Sequence, residues 1–281
     1  MKLSSVKLAF LFAGLVWLAT SAPVQAQDSP QTIQLQDATG RSASHLSKRD
    51  VLLGFAQCLN NQSLAIRASP RTPLHVCGVT VFEGGNIKAP NSVIIEDTKM
   101  SKCPVNFGAD DSNPRSFAYV HALAIPLNKV TGVEQEDDRP NGIWDLAWRT
   151  ATAYISDTVE IALVANPKAE NQYRSQDQLH IHLVKLRPGA KEEILHPMGS
   201  HRVPPAYIDR LDGDSDPVWV AAELNAGKLA THLGLPSGLR SGAFGVAVVW
   251  DESKGKYAVV AVDDSPERDF TVQCPGSTWQ P

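Results

Sequence analysis

Apolar and polar positions alternate most regularly between Arg174 and Pro188, RSQDQLHIHLVKLRP. Leu179, Ile181 and Leu183 share one parity, while Gln178, His180 and His182 share the other; this period of two predicts a strand with one apolar and one polar face. Runs rich in β-branched and aromatic residues predict further strands at Ser92–Asp97, Phe117–Ile125 and Val159–Ala165, the last leading through Asn166 and a polar loop into the histidine strand. Gly242–Trp250 and Lys256–Val262 flank a charged turn at Asp251–Gly255, the pattern of a hairpin, expected to complete a second antiparallel layer. Helical spacing marks Asp50–Cys58, a segment capped by Asn141 and running to about Ser156, and Val218–Leu233. Trp144 and Trp148, four apart on one helix face, are expected in the core rather than as base-stacking platforms. His121, alone among apolar residues of its strand, is expected to be a satisfied structural histidine.

The N-terminus changes the picture of where these elements fold. Lys2 and Lys7 precede an uncharged apolar run, Leu8–Ala19, and small residues ending in Val24-Gln25-Ala26, the pattern of a signal peptide over residues 1–26 cleaved after Ala26. The alternative, a single N-terminal membrane anchor, needs ~20 apolar residues to span, more than this run supplies. Residues 27–50 are polar and without sustained apolar periodicity, so they are expected to be a flexible leader, with Lys48-Arg49 as a candidate trimming site. Residues 51–281 remain, ~230 residues, enough to bury one core as a single domain. The formal net charge of −4 argues against a nucleic-acid partner. Four cysteines, Cys58, Cys77, Cys103 and Cys274, form no C-x-x-C pair, and in an exported chain they are expected as disulfides.

His180 and His182, two apart on a strand, would stand roughly 6.5 Å from each other on one face. That spacing allows one imidazole to attack a phosphorus while the other serves an oxygen of the same group. A His-x-His pair also suits metal ligation, or a plain solvated face. No third or fourth metal ligand lies at a recognisable spacing, so no metal and no cofactor is expected.

The residues around the pair bear on this choice. RSQDQLHIH with the following Arg187-Pro188 resembles the signature of the CDP-diacylglycerol pyrophosphatases, in the histidine-triad (HIT-like) superfamily. AIPLNKVTGVE, Ala124–Glu134, resembles that family's strand ending in I-P and its I-T-G-I-E-type turn; NGIWDLAWR, Asn141–Arg149, resembles its A-W-x-x-R helix. The superfamily motif is His-φ-His-φ-His-φ-φ, and here Gln178 takes the first His position; Lys185 stands where the family has a Cys. The resemblance implies an α+β fold: a HIT-like antiparallel sheet with packed helices, one domain, with a C-terminal β-hairpin extension. It implies that His180 is the nucleophile on the α-phosphorus and that His182 binds or protonates a phosphoryl oxygen. Arg174, Ser175, Gln176 and Gln178 become candidate donors to the phosphates, and Asn166 the residue that orients the nucleotidyl end. The implied substrate is a nucleotide diphosphate-lipid, with contact at a membrane surface; a soluble nucleotide diphosphate compound and a catalytically silent nucleotide- or lipid-binding protein stay open as alternatives. The implied location is secreted or periplasmic. A neighbouring cysteine pair in that family implies Cys58–Cys77, leaving Cys103–Cys274.

Overall fold

The structure is a computed structural model. It describes residues 51–61, 73–84, 91–97, 121–133, 135, 139–154, 160–167, 178–197, 203–213, 216–235 and 244–272. The signal peptide and leader, the 99–115 loop, Arg174, Ser175, Gln176 and the expected Cys103–Cys274 bond lie outside these residues.

Nine strands among the described residues form one antiparallel sheet: β1 (Leu74–Val76), β2 (Val79–Glu83), β3 (Ser92–Glu96), β4 (His121–Pro126), β5 (Ile161–Ala165), β6 (Ile181–Lys185), β7 (Ala206–Ile208), β8 (Gly245–Asp251) and β9 (Lys256–Val262). Their order is β1-β2-β3-β4-β6-β5-β8-β9-β7. Helices α1 (Val51–Asn60), α2 (Ile143–Tyr154), α3 (Ala190–Leu195), α4 (Pro217–His232) and α5 (Pro266–Phe270) pack on it, an α+β fold as the resemblance implied. The histidine strand, β6, is thus the fifth of nine, with four strands on either side.

The strands alternate between two packed layers. Ile181 and Leu183 of β6, Leu163 of β5 and Val246 and Val248 of β8 join Trp144 and Trp148 of α2 and Trp219 of α4 in one core. The tryptophans are buried as expected, with the Trp144 and Trp219 rings 4.9 Å apart edge to face. On the opposite side lie two clusters, one joining α1 to Val93, Ile95, Leu123 and Ile125, the other joining α3 and Phe270 of α5 to Val164, Val184, Ala247 and Val249. His182, facing Leu123 on β4 and Val164 on β5 in register, sits where these two clusters meet.

Two expectations need correction. The β8–β9 hairpin does not start a second layer: β8 pairs with β5 from Ala162↔Val249 to Ala165↔Val246 and extends the same sheet. Its uninterrupted apolar run reflects burial on both faces. The residue before α2 is Gly142, not the expected cap Asn141: the helix begins at Ile143, and Gly142, at φ 72°, accepts the Leu146 N–H on its carbonyl at 3.0 Å. Strands β1, β2 and β7 and the short helices α3 and α5 carry too few residues to show a period, and only their packing defines them. Between β1 and β2, Cys77 and Gly78 form a two-residue turn with both φ positive, 57° and 76°, which suits the right-handed twist of a tight hairpin. Cys77 is bonded to Cys58 of α1, the pairing the resemblance implied. No helix among the described residues is long and apolar enough to cross a membrane.

Candidate active site

His180 lies just before β6 and His182 within it, their rings 4.7 Å apart and steeply inclined. They do stand side by side, but not on a solvated face: His180 is 8% and His182 5% exposed. His180 Nδ1 is 2.7 Å from the carbonyl oxygen of Gln178. A carbonyl only accepts, so Nδ1 carries the proton and donates, and Nε2 carries the lone pair. His180, Asn166, Gln178 and Leu179 line a small cleft with Gly132 and Val133.

Gln178, expected among the phosphate donors, is turned to another task. Its Nε2 donates to the carbonyls of Pro126 and Asn128, at 2.9 and 2.7 Å, and its Oε1 accepts from Val130 N–H at 3.3 Å. Both amide hydrogens are therefore spent on the backbone after β4. The side chain is fully buried and laces that loop, which carries Gly132 and Val133, to the strand that carries the histidines. Arg139 steadies the same loop, donating from Nε to Val133 O at 3.1 Å.

The structure places His182 at the centre of a buried polar chain. Its Nδ1 is 2.7 Å from His121 Nε2 across the β4–β6 pair, and its Nε2 is 3.3 Å from both Asn166 Nδ2 and Glu267 Oε2. Asn166 Nδ2 donates to Glu267 Oε2 at 2.7 Å, and Ser265 Oγ donates to Asn166 Oδ1 at 2.8 Å. At the other end, His121 Nδ1 lies 3.5 Å from Asp97 Oδ2, an electrostatic contact rather than an aligned hydrogen bond. One proton arrangement satisfies this chain. His121 keeps its proton on Nδ1 toward Asp97, His182 donates from Nδ1 to His121, and the amide hydrogens of Asn166 divide between His182 Nε2 and Glu267. Burial, then the neighbouring His180 and His121 rings, hold His182 well below the ordinary imidazole value, so it is neutral near pH 7.

Asp97, His121 and His182 bring nitrogen and oxygen atoms within 4.8 Å of one another, a grouping that could gather a cation. The direct 2.7 Å contact spends the facing His121 and His182 nitrogens on each other and fits a hydrogen-bonded relay better. His121, expected to be a satisfied structural histidine, is hydrogen-bonded through Nε2 to the site itself, while its buried Nδ1 has only the 3.5 Å contact with Asp97. Its role, like those of Asp97, Ser265 and Glu267, escaped the sequence reading. His121 does share parity with Leu123 and Ile125, yet only the register of β4 on β6 points it at His182.

Residues 115–204 match a family of hydrolases acting on phosphorus-containing anhydrides. That family is the CDP-diacylglycerol pyrophosphatases, as the resemblance had suggested. The matched segment runs from β4 through α3 and includes His121, Asn166, Gln178, His180 and His182; Asp97, Ser265 and Glu267 lie outside it. No curated protein matches the chain.

Proposed function

We propose that the protein cleaves CDP-diacylglycerol to CMP and phosphatidate through a covalent nucleotidyl-histidine. The observation that carries the reading is the bond from His180 Nδ1–H to Gln178 O, which fixes the tautomer with its lone pair on Nε2, on a residue lining a cleft beside Asn166. Neutral imidazole is nucleophilic. Nε2 of His180 forms a bond to the α-phosphorus, the phosphoanhydride P–O bond breaks, and phosphatidate leaves with that electron pair. Water then adds to phosphorus, the P–N bond breaks, and CMP leaves while the imidazole recovers its lone pair. Arg174, Ser175 and Gln176 are the proposed donors to the phosphates, and Asn166, which lines the cleft beside His180, is the residue proposed to orient the nucleotidyl end.

Secretion or a periplasmic location belongs to the same reading. It is supported by the N-terminal signal pattern and by the Cys58–Cys77 bond, which persists in oxidising compartments. Contact with a membrane surface follows from a lipid-linked substrate.

The test is CMP release from CDP-diacylglycerol, with rapid quenching of cytidine-labelled substrate. An acid-labile, base-stable adduct should appear on the peptide that contains His180, and His180→Ala should abolish both adduct and turnover. Near-normal turnover by folded His180→Ala protein would refute the assignment. Label on another residue would move the nucleophile elsewhere.

A further inference from the structure

We infer that helix α5, outside the matched segment, completes the site: Glu267 is a positioning residue held against Nε2 of His182, and Ser265 fixes the amide of Asn166 that joins them. This rests on the phosphoanhydride reading above and deepens it.

The placement of α5 is held from several directions. Arg187 donates from Nε to Asp269 O at 2.7 Å and from its backbone N–H to Phe270 O at 2.9 Å; Val272 N–H reaches Lys185 O at 3.0 Å. Phe270 is fully buried among α3, β5 and β8 side chains. On the sheet side, Gly245 at the start of β8 lets Pro266 approach so closely that a built Cβ would lie 2.4 Å from its Cδ. Glu267, 7% exposed, is therefore aimed into the seam by the fold.

Ser265 does two things with one hydroxyl. It accepts the Arg268 N–H as the cap of α5 and gives its hydrogen to Asn166 Oδ1. With Oδ1 so occupied, the amide cannot flip, and its two hydrogens must point to Glu267 and His182.

Charge gives Glu267 its role. A buried imidazolium or a buried carboxylate alone is costly, whereas the two together are neutral overall. Among the described residues, the groups facing His182 are His180 from its own strand, His121 from β4 with Asp97 beyond it, and Glu267 from α5, while β5 leads to the uncharged Asn166. Of the nearby cations, Arg268 pairs with Asp264 and Asp269, and Arg187 pairs with Glu193. The two neighbouring rings oppose a proton on His182; Glu267, 3.3 Å from Nε2, favours one there, which would then donate to the carboxylate in place of the Asn166 N–H that Nε2 accepts in the neutral ring. Glu267 thus decides how far His182 can follow the charge that develops beside it at His180.

The experiment uses the full-length protein with Glu267→Gln, which preserves shape and the Asn166 hydrogen bond but carries no charge. In substrate-free protein, the ¹⁵N shifts of the His182 ring are followed against pH. The midpoint of protonation should fall by about one pH unit or more relative to wild type. With CDP-diacylglycerol, kcat should drop roughly 10–10²-fold with little change in KM, as for loss of an orienting partner, and the acid limb of the rate profile should shift by the same amount as the midpoint. Glu267→Asp should recover part of both, and it carries the comparison with wild type if the Gln variant does not fold. An unmoved His182 midpoint, or a lower kcat with an unmoved pH profile, overturns the inference. If wild type releases no CMP, the functional reading falls while the ¹⁵N titration still decides the role of Glu267.

Discussion

Gly245→Ala should damage the site from the far side of α5. The new Cβ would lie 2.4 Å from Pro266 Cδ and 2.9 Å from Asp264 O, one of them a ring carbon and the other backbone, so neither can swing away. Restoring ordinary carbon–carbon contact near 3.5 Å requires a displacement of about 1 Å. Ser265 and Glu267 flank Pro266 directly, so their bonds to Asn166, 2.8 and 2.7 Å, would stretch beyond hydrogen-bond range if α5 moved as a unit. Overpacking of this kind costs about 1–3 kcal/mol, and a 1 Å misplacement at a catalytic seam can cost on the order of 10² in rate. The assay pairs thermal unfolding with CMP release. A modest fall in stability together with a much larger fall in kcat is expected. Full activity in the Ala variant would refute the claim that the close approach of β8 to α5 sets the site geometry; a loss of activity in proportion to unfolding alone would refute it as well.

Three further outcomes follow from other parts of the molecule. Activity should survive a chelator, because the facing His121 and His182 nitrogens are hydrogen-bonded to each other; complete, metal-reversible inactivation would mean that Asp97, His121 and His182 hold a cation. Replacing Cys58 and Cys77 by Ala should lower stability by about 3 kcal/mol in the chain-entropy model for a loop of this length, 19 residues in sequence separation, read from denaturant midpoints. Asp216, buried at the start of α4, has its carboxyl pushed up to about 7, chiefly by burial, against the partial opposition of the Trp219, Val218 and Gly142 N–H groups and Arg139. The folded chain then holds this proton more tightly than the unfolded chain, so Asp216 contributes stability below pH ~4 that is lost as pH rises toward 7, up to roughly 4 kcal/mol. Asp216→Asn should flatten stability against pH over that window, and an unchanged pH dependence would contradict the burial argument.

The sequence by itself determined the strand that carries the chemistry and most of the larger elements. Alternation at Leu179, Ile181 and Leu183 is a local property, fixed by the two-residue repeat of an extended chain, and so are the long apolar periods of α2 and α4. It also put His180 and His182 on neighbouring positions, and the flanking motifs pointed to the family that residues 115–204 match. What the alternation could not say is what covers the polar parity. That depends on β6 being the central strand, so that His182 is enclosed by neighbours rather than by water. The tertiary structure alone decided that His121, 61 positions away, touches His182, and that Ser265 and Glu267, 99 and 101 positions from Asn166, close around it. It likewise turned Gln178 from a candidate phosphate donor into a backbone clasp. Such contacts arise from strand register and from the docking of a five-residue helix, and neither leaves a periodic trace in the chain because the groups they join are distant in sequence and their geometry is set by packing.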